Sequence, residues 1–476
     1  MNVILVYPNI HGYHSDVYNF GLAYIASVLK ANGHMVKLEV IESKKDYRKL
    51  LRSIDLYHPG VVGFTSVSSQ FSYVKEMASL IKAQHHCVVI CGGIHPTIFP
   101  ECLIESDDLD GLFIGESEFS FLEFVNKIMR GQSYKDNDNF CFRENGTLVK
   151  NRLKQRTANL DELGFPDRQV YDYQRVIDKQ QGMISIMCMR GCPFQCSYCS
   201  NHAIAKMYGQ ERNMIRYRSV DNCIEEIKEI KNNYVFKTIW FIDDLFIMNI
   251  GWSGEFLKKY KTEFSFPFMC NLRLDLCTRE IVGMLRDAGC YRVLVAVESA
   301  NDRIRKEVMN RTMSKEAMRN SVSWLKEAGI QILVSNIIGI PGETEETVRE
   351  TIEFNKNLNP TIAAVNIFFP YDGTVLGDYC RKNSLVKSRK HNVYERQESI
   401  LNLKTISGRR LKYYYDNFSY LVFKDIDRQK AKKIRQKNIF FAIYRNPVCR
   451  GIVWLVHKSN LSKTRLYKAL SVKIWS

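Results

Sequence analysis

Three closely spaced cysteines are the residues of this 476-residue chain that are best suited to chemistry. Cys192, Cys196 and Cys199 are spaced C-x3-C-x2-C, so one short loop can offer three thiolates to an iron–sulfur cluster. Three thiolates leave the fourth iron of such a cluster without a protein ligand. The spacing therefore predicts an open iron, which is a place for chemistry.

Zinc and disulfide bonds are simpler interpretations of these cysteines. A structural zinc site needs four protein ligands, and no Cys-x-x-Cys or His-x3-His pair follows at finger spacing. The chain begins MNVILVYPNI, without the basic, apolar and cleavage regions of a secretory signal, so disulfides are also disfavoured. We therefore expect the fourteen cysteines to be reduced thiols and the chain to be cytoplasmic.

Composition and charge limit the class of protein. The apolar fraction of 45% and the charged fraction of 25% are typical of a soluble globular chain, and no apolar stretch approaches the length of a membrane span. The net charge of +17 belongs to one region, because residues 385–476 hold 22 Lys and Arg against 5 Asp and Glu, whereas residues 1–384 hold 46 of each kind. The pattern predicts a basic C-terminal region.

Residues 1–135 alternate between apolar β-branched runs and stretches with helical periodicity. The runs cover residues 3–7, 35–40, 61–65, 87–91 and 112–114. They predict an α/β fold with an open, Rossmann-like (flavodoxin-like) parallel sheet, whose ligands sit beyond the carboxyl ends of the strands. Small or polar residues follow the third, fourth and fifth runs: Ser66, Ser69, Gly92, Gly93, Gly115 and Glu116. They can admit a bulky ligand to the backbone or simply form turns.

A second strand and helix series, over residues 183–384, predicts a partial (β/α)6 barrel of the TIM type. Its strands are expected at residues 184–189, 238–242, 266–271, 292–297, 332–338 and 363–369. Reactive groups of such barrels lie at the strand C-termini, which puts the cysteine loop at the mouth. The strand ends carry Asp243, Asp244, Asn271, Arg273, Glu298, Ser299 and the turn 339–343. Taken singly, Asp243 could cap a helix and Glu298 could pair with an arginine.

Four segments of the first region resemble the cobalamin-binding domain that precedes many radical SAM enzymes. They are FGLAYIA at 20–26, ANGHMV at 31–36, CGGIHPT at 91–97 and GESE at 115–118. The resemblance covers residues 1–135 and implies that the six strand-end residues named above bind cobalamin. Domains of the methionine synthase type carry an Asp-x-His-x-x-Gly loop, but this chain has NIHGYH at residues 9–14. His11 and His14 are therefore expected to be loop residues, with no histidine below the cobalt.

Residues 183–370 resemble the radical SAM family itself. Cys192, Cys196 and Cys199 match the ligands of its [4Fe–4S] cluster, whose open iron would be chelated by S-adenosylmethionine. The resemblance implies further contacts: Tyr198 with adenine, Asp243 or Asp244 with the amino group, Asn271, Arg273, Glu298 and Ser299 with the carboxylate and ribose, and Gly339 and Pro341 with adenine. Phe241-Ile242-Asp243-Asp244 stands where many members have Gly-Gly-Glu, which leaves open which aspartate takes the acidic role.

This family resemblance implies an enzyme that cleaves S-adenosylmethionine to a 5′-deoxyadenosyl radical and methylates an unactivated carbon, or phosphorus, through methylcobalamin. Radical rearrangement, cyclisation or ring contraction without methyl transfer stays open as an alternative. A tRNA methylthiotransferase is less favoured, because Cys87, Cys91, Cys102 and Cys141 do not provide the three cysteines of its second cluster. A non-catalytic cobalamin- or nucleic-acid-binding module is disfavoured by the intact cysteine triplet. No catalytic residue is assigned.

The remaining segments are a turn-rich linker at residues 136–182 and a basic, mainly helical region at residues 385–476. Residues 428–437 are densely basic, and apolar residues follow at 439–444 and 451–456. This pattern suits either the solvated face of a helical cap or peripheral contact with an anionic membrane, whereas nucleic acid is the less favoured partner. The expected partners are a small-molecule or lipid-linked substrate and an electron donor such as flavodoxin or ferredoxin.

Overall fold

A computed structural model describes residues 1–10, 18–209, 215–387 and 395–445 of the chain. It confirms the predicted α/β architecture, in which a Rossmann-like sheet is followed by a six-stranded parallel sheet and then by helices. His11 and His14 lie outside the described residues, as does the apolar run 451–456.

The first sheet has seven strands within the described ranges, in the order β2-β1-β3-β4-β5-β6-β7. The strands are β1 (Asn2–Pro8), β2 (Met35–Ile41), β3 (Val61–Thr65), β4 (Val88–Gly92), β5 (Gly111–Phe113), β6 (Phe140–Glu144) and β7 (Thr147–Lys150). Strands β1 to β5 are parallel and follow the flavodoxin-like order 2-1-3-4-5. The helices of this part are α1 (Phe20–Ala31), α2 (Tyr47–Tyr57), α3 (Phe71–Lys82), α4 (Ile94–Ile98) and α5 (Glu118–Met129).

The antiparallel hairpin of β6 and β7 extends this sheet at one edge, in the stretch where the sequence predicts a linker. Leu112 of β5 pairs with Cys141 of β6. The turn consists of Asn145 and Gly146, with φ angles of 50° and 76°. Asn-Gly is the commonest sequence of a two-residue hairpin turn, so this dipeptide was the signal for the hairpin.

Both faces of the first sheet are covered, because its central strands β1, β3 and β4 carry no charged residue and are mostly buried apolar residues. Successive side chains of a strand point to opposite faces. Val62 and Phe64 accordingly pack with α2 and α3, whereas Val61 packs with α1 and α5. With both faces occupied by helices, the carboxyl ends of the strands are left for a ligand.

The second sheet is fully parallel, with six strands in the part of the chain that is described, in the order β15-β14-β13-β12-β11-β8. They are β8 (Met183–Ile186), β11 (Thr238–Phe241), β12 (Phe268–Leu272), β13 (Cys290–Glu298), β14 (Gln331–Ile338) and β15 (Ile362–Ile367). The connecting helices are α8 (Val220–Asn233), α9 (Ile250–Glu263), α10 (Arg279–Asp287), α11 (Lys315–Glu327) and α12 (Glu345–Leu358). This is the predicted partial (β/α)6 barrel.

Short elements precede and flank the cysteine loop: α6 (Tyr173–Lys179), β9 (Met189–Arg190), α7 (Ser200–Met207) and β10 (Arg216–Tyr217). Strands β9 and β10 form a separate antiparallel ladder, in which Arg190 pairs with Arg216. The loop therefore leaves the barrel after β8, passes through this ladder and continues into α7.

Helix α13 (Val375–Lys382) follows the barrel strands, and helices dominate the described part of the C-terminal region: α14 (Gly408–Phe423) and α15 (Arg428–Arg445). Helix α14 packs on β15 and α12 through Leu411, Tyr414 and Phe418. Helix α15 packs on α14 through Ala431 and Ile434. Within the residues described, none of the helices has the length and apolar character needed to cross a bilayer.

Candidate active site

The cysteine loop brings three partly or fully buried thiols to the barrel mouth. Cys196 is buried, and Cys192 and Cys199 are half-buried. Burial raises the pKa of Cys192 to about 11 and that of Cys199 to about 12, and the charge of neighbouring Cys196 acts in the same direction. Iron binds thiolates, so loading of this loop must release protons.

The three thiols share one short loop. A cubane cluster spreads its protein thiolates over different irons. One loop with Cys192, Cys196 and Cys199 can therefore serve three irons of a single cluster.

Asp243 fixes the backbone just ahead of this loop. Its Oδ1 accepts hydrogen bonds from the backbone N–H groups of Cys188 and Met189, each at 2.7 Å. Within the described structure its buried Oδ2 has no hydrogen-bond partner. Burial raises the pKa of Asp243 to about 7, and the two amides act against this shift. Burial also raises the pKa of the neighbouring Asp244, which a hydrogen bond with the Asn201 side chain opposes.

Tyr198 and Glu298 meet on another side of the mouth. The Tyr198 hydroxyl donates to Glu298 Oε1 at 2.9 Å. Glu298 has a φ of 63° at the irregular end of β13, a conformation that costs energy for a non-glycine residue and is common at functional sites. Burial raises the pKa of Glu298, and Arg311 opposes the shift. Arg311 also lies 3.8 Å from Cys196, measured from Nη1 to Sγ, which sequence patterns did not reveal.

The other predicted strand-end residues contact the loop or its surroundings. Asn271 donates from Nδ2 to the Asp243 carbonyl oxygen at 2.9 Å. The Arg273 guanidinium lies over the Phe194 ring of the cysteine loop, 3.7 Å from the ring centre. Ser299 accepts a hydrogen bond from Arg305 Nη1 at its carbonyl oxygen, at 2.9 Å. Arg273 therefore packs on the cysteine loop itself, whereas Asn271 holds the Asp243 backbone and Ser299 is bonded to Arg305.

The turn after β14 holds Gly339 and Pro341 and is closed by a buried carboxylate, Glu343. Glu343 Oε2 accepts from the N–H of Gly339 at 2.5 Å and from that of Ile340 at 3.3 Å. Burial raises the pKa of Glu343 to about 8. The sequence placed this residue inside a turn, but the turn pattern alone did not show that its side chain folds back onto the turn.

Backbone packing dominates the carboxyl end of the first sheet. Gly93 has a φ of 97°, and a Cβ atom there would lie 2.6 Å from Thr65 Oγ1 and 2.7 Å from the Ser66 nitrogen. Ser66 donates from Oγ to the Val67 carbonyl oxygen at 2.8 Å. The Ser69 N–H donates to Glu395 Oε1 at 2.6 Å. Only glycine fits the point where β3 and β4 end side by side.

A cavity of about 460 Å³ lies between this sheet end and the barrel mouth. The predicted residues that line it are Gly92, Gly93, Gly115 and Glu116 on the sheet side and Asp243 and Asp244 on the barrel side. Ser66 and Ser69 are not among its lining residues in the described structure. Residues predicted for two different cofactors thus face one shared space.

Glu116 is held by two arginines on the cavity wall. Its Oε2 accepts from Arg190 Nη1 at 3.1 Å and from Arg216 Nη1 at 3.0 Å. Burial acts to raise the pKa of Glu116, but Arg216 and Arg190 outweigh it and hold the pKa below its ordinary value. Sequence patterns suggested Glu116 as a cofactor ligand and gave no sign of either arginine.

Two family models match the two halves of this site. Residues 9–125 match the B12 binding domain, and residues 186–354 match the radical SAM superfamily. The chain is a cobalamin-dependent radical SAM enzyme. The first match contains the glycine-lined sheet end of this radical SAM enzyme, and the second contains its cysteine loop and the strand ends around it.

Curated relatives of this radical SAM enzyme extend over most of its length. An uncharacterised methyltransferase of Pyrococcus horikoshii is 27% identical, over 82% of this chain and 84% of the relative. The cytidylyl-2-hydroxyethylphosphonate methyltransferase of Streptomyces wedmorensis is 21% identical, over 81% of this chain and 82% of the relative. The anaerobic magnesium-protoporphyrin IX monomethyl ester cyclase of Rubrivivax gelatinosus is 23% identical, over 78% of this chain and 68% of the relative.

Solved structures share the fold. The radical S-adenosylmethionine methyltransferase TsrM of Kitasatospora setae superposes with a TM-score of 0.65 at 17% identity, over 81% of this chain and 77% of that one. The cobalamin-dependent S-adenosylmethionine radical enzyme OxsB superposes with a TM-score of 0.70 at 15% identity, over 96% of this chain and 75% of that one. This chain therefore shares its fold with both structures over most of its length.

The cofactors of this radical SAM enzyme are a [4Fe–4S] cluster, S-adenosylmethionine and cobalamin. The residues present fit them. Three thiols share one loop for the cluster, Asp243 lines the cavity and keeps a buried Oδ2 without a hydrogen-bond partner among the described residues, and Gly92 and Gly93 line the sheet side of the cavity without side chains.

Proposed function

We propose that this enzyme methylates an unactivated carbon, or a phosphorus, of a small molecule bound between its two halves. The observation that carries the proposal is the single 460 Å³ cavity, which both the glycine-lined sheet end and the barrel mouth border. A methyl donor and a radical source must face the same substrate atom, and one shared cavity allows this.

The cofactors supply the reactive chemistry when bound: a 5′-deoxyadenosyl radical from S-adenosylmethionine at the cluster, and a methyl group from the corrinoid. The chain's own residues bind and orient them. Cys192, Cys196 and Cys199 hold the cluster, and Gly92 and Gly93 admit the corrinoid to the backbone of the first sheet. Gly191, the neighbour of Cys192, lines the cavity, so these two assignments put the cysteine loop and the corrinoid on opposite sides of it.

We assign the contacts with S-adenosylmethionine to the residues around the cysteine loop. They are Tyr198, Asp243, Asp244, Asn271, Arg273, Glu298, Ser299, Gly339 and Pro341. Asp243 and Glu298 support this assignment best, since each is buried and keeps one carboxylate oxygen without a hydrogen-bond partner in the described structure. A buried, unsatisfied oxygen is costly unless a ligand donates to it, and the ammonium and ribose hydroxyls of S-adenosylmethionine are such donors.

Anaerobic reconstitution tests the proposal. The full chain, loaded with iron, sulfide and hydroxocobalamin, should show cluster and corrinoid absorbance and should form 5′-deoxyadenosine after reduction with dithionite. With S-adenosylmethionine deuterated at its methyl group, a methylated product gains 3 Da of label beyond the ordinary methyl mass. A chain that retains no corrinoid would contradict the proposal.

Cyclisation is the second candidate, favoured by the likeness to the magnesium-protoporphyrin IX monomethyl ester cyclase of Rubrivivax gelatinosus. The same labelled cofactor separates the two reactions. A cyclised product carries no label and has lost hydrogen, whereas a methylated product carries the label.

We also propose two partners. A small one-electron carrier such as flavodoxin or ferredoxin would reduce the cluster. The basic helix α15 would contact an anionic membrane or a lipid-linked substrate, since Lys432, Lys433, Arg435 and Lys437 are all exposed on it. Changing these four residues to Gln removes the charge and keeps Ala431 and Ile434, through which α15 packs on α14. Equal binding of both proteins to vesicles with and without phosphatidylserine would contradict the membrane contact.

A further inference from the structure

Glu116 touches both ends of the cysteine loop, although it belongs to the other half of the molecule. Its carboxylate accepts a hydrogen bond from Arg190, which lies two residues before Cys192. Its backbone N–H donates to the Tyr208 hydroxyl at 2.9 Å, and Tyr208 follows α7, which begins directly after Cys199. The loop that carries the thiols is therefore tied to one residue of the first sheet before it starts and after it ends.

Further contacts fix the two arginines that reach Glu116. Arg190 Nη2 pairs with Glu118 Oε1 at 2.7 Å, and its guanidinium lies 4.9 Å from the centre of the Tyr24 ring. Arg216 Nη1 donates to the Thr157 carbonyl oxygen at 2.7 Å. Each guanidinium thus has a second anchor, so its planar fork presents a fixed edge to the carboxylate.

These charges are largely withdrawn from water. The side chains of Arg190 and Arg216 are 14% and 11% exposed, and those of Glu116 and Glu118 are 23% and 9% exposed. Ion pairs are stronger at such depth than at the surface, and two carboxylates balance two guanidiniums. The neighbouring backbone makes room for the contact, because a side chain at Gly115 would overlap the Tyr208 oxygen.

We propose that Glu116 is a positioning residue that sets the distance and orientation of the cluster relative to the corrinoid. The inference rests on the proposed function, because only an enzyme that brings two cofactors to one substrate requires that distance to be fixed. Glu116 acts through Arg190, Arg216 and Tyr208, to which its carboxylate and its backbone N–H are already hydrogen-bonded. Its loss should therefore change the geometry between the cofactors rather than the binding of either one.

The test uses the full chain, anaerobically loaded with cluster and cobalamin and reduced so that both the cluster and Co(II) are paramagnetic. Pulsed EPR then measures the distance distribution between the two centres. In Glu116→Gln, iron and corrinoid contents should stay at the wild-type level while the distribution broadens and shifts to longer distance. Glu116→Asp, which keeps the charge, should recover part of the wild-type distribution.

Glu101→Gln is the matched control. It removes a carboxylate from the same half of the molecule, where Glu101 pairs with Lys150 at 2.7 Å on the surface. Its distance distribution should equal that of the wild type. A merely structural role of Glu116 would lower the melting temperature and cofactor content without altering the distance in loaded molecules.

Two results would overturn the inference. One is a Glu116→Gln enzyme with reduced corrinoid content and an unchanged distance in the molecules that remain loaded, since Glu116 would then be a corrinoid ligand. The other concerns amide hydrogen exchange of residues 186–208 in the cofactor-free chain. We expect this exchange to be faster in Glu116→Gln than in the wild type and unchanged in Glu101→Gln. Equal exchange in all three proteins would overturn the inference even if the wild type binds no corrinoid, a result that would by itself contradict only the proposed function.

Discussion

The two walls of the shared cavity are built in different ways. On the sheet side, glycines bring the backbone itself to the surface, and Gly93 leaves no room for even one added carbon. On the barrel side, the lining residue Asp243 is held in place by hydrogen bonds from two backbone amides, and Glu298, which lies at the barrel mouth but does not line the cavity, is held by Tyr198. A large corrin ring suits a surface defined by shape, whereas a small chelating cofactor and a cluster need particular atoms at particular places.

This contrast predicts that substitutions on the two walls have separable effects. A change on the barrel wall should remove iron chemistry and spare the corrinoid. A change on the sheet wall should weaken corrinoid binding and spare the iron chemistry. Glu116 is the exception, because it stands on the sheet wall and its contacts are on the barrel wall.

The largest effect is expected from Cys196→Ala. Two thiolates cannot replace the predicted set of three, so iron content and formation of 5′-deoxyadenosine should fall to background after reconstitution. Corrinoid content should remain that of the wild type. Cys102→Ala is the control, since Cys102 is an equally buried thiol in the core of the first sheet. Retention of S-adenosylmethionine cleavage in Cys196→Ala would contradict the assignment of the cluster to this loop.

Gly93→Ala is the corresponding change on the sheet wall. The added carbon must displace the backbone at Ser66, and strain of about 1–3 kcal/mol at the corrinoid site corresponds to a loss of affinity of roughly ten- to a hundredfold. Titration with hydroxocobalamin measures this loss, and iron content should not change. Gly131→Ala is matched in backbone conformation, with a φ of 67°, but has open space around it and should bind corrinoid normally. Normal binding by Gly93→Ala would show that the corrinoid lies elsewhere.

Asp243 makes the stability of the barrel wall depend on pH. Its pKa of about 7 in the folded chain lies above the reference value of 3.8, so the folded state retains a proton that the unfolded state releases. The stabilisation that this proton gives to the folded state is complete below about pH 4 and is lost as the pH rises to about 7. At 1.36 kcal/mol per unit of pKa difference, the lost stabilisation amounts to up to about 4 kcal/mol. Asn at this position can still accept the two amide hydrogen bonds and does not titrate.

The measurement compares the thermal midpoints of the cofactor-free wild type and Asp243→Asn at pH 5 and pH 7. Tryptophan fluorescence is a suitable probe, because Trp240, Trp252 and Trp324 lie in the barrel. The midpoint should fall more steeply with pH in the wild type. Glu343, with a pKa of about 8, titrates in both proteins and cancels in the comparison. Equal slopes would contradict the assignment of this proton to Asp243.

Sequence patterns predicted the two walls unequally, for a physical reason. The spacing of Cys192, Cys196 and Cys199 favoured a cluster, and the polar residues at the following strand ends made that prediction specific. Glycine and serine occur in every turn, so Gly92 and Gly93 gained meaning only from the strands before them. The uniform apolar runs predicted both sheets, because a strand buried on both faces has no polar positions to obscure it.

The contacts between the two halves could not be predicted. Arg190 and Arg216 are separated from Glu116 by 74 and 100 residues, and no local pattern joins residues so far apart. Arg311, which reaches Cys196, lies in a turn without a motif. The Glu116 contacts depend on how the two sheets face each other, and the contact of Arg311 with Cys196 depends on packing within the barrel half. Neither is a property of periodicity.

Glu298→Gln should have the smallest effect and is the finest test of the barrel wall. The amide can still accept the hydrogen bond of Tyr198, which lies 2.9 Å from Oε1, so the fold should be retained. In the variant, the atom at the position of the unsatisfied Oε2 is either an uncharged oxygen or an N–H donor. Loss of one hydrogen bond to a charged group costs about 1.5 kcal/mol, which weakens S-adenosylmethionine binding roughly tenfold. Equilibrium dialysis with S-adenosylmethionine measures this on cluster-loaded protein, with the exposed Glu307→Gln as control. Wild-type affinity in Glu298→Gln would mean that the strained backbone at this position serves Tyr198 and Arg311 alone, and the contacts with S-adenosylmethionine would then rest on the Asp243 side of the cavity.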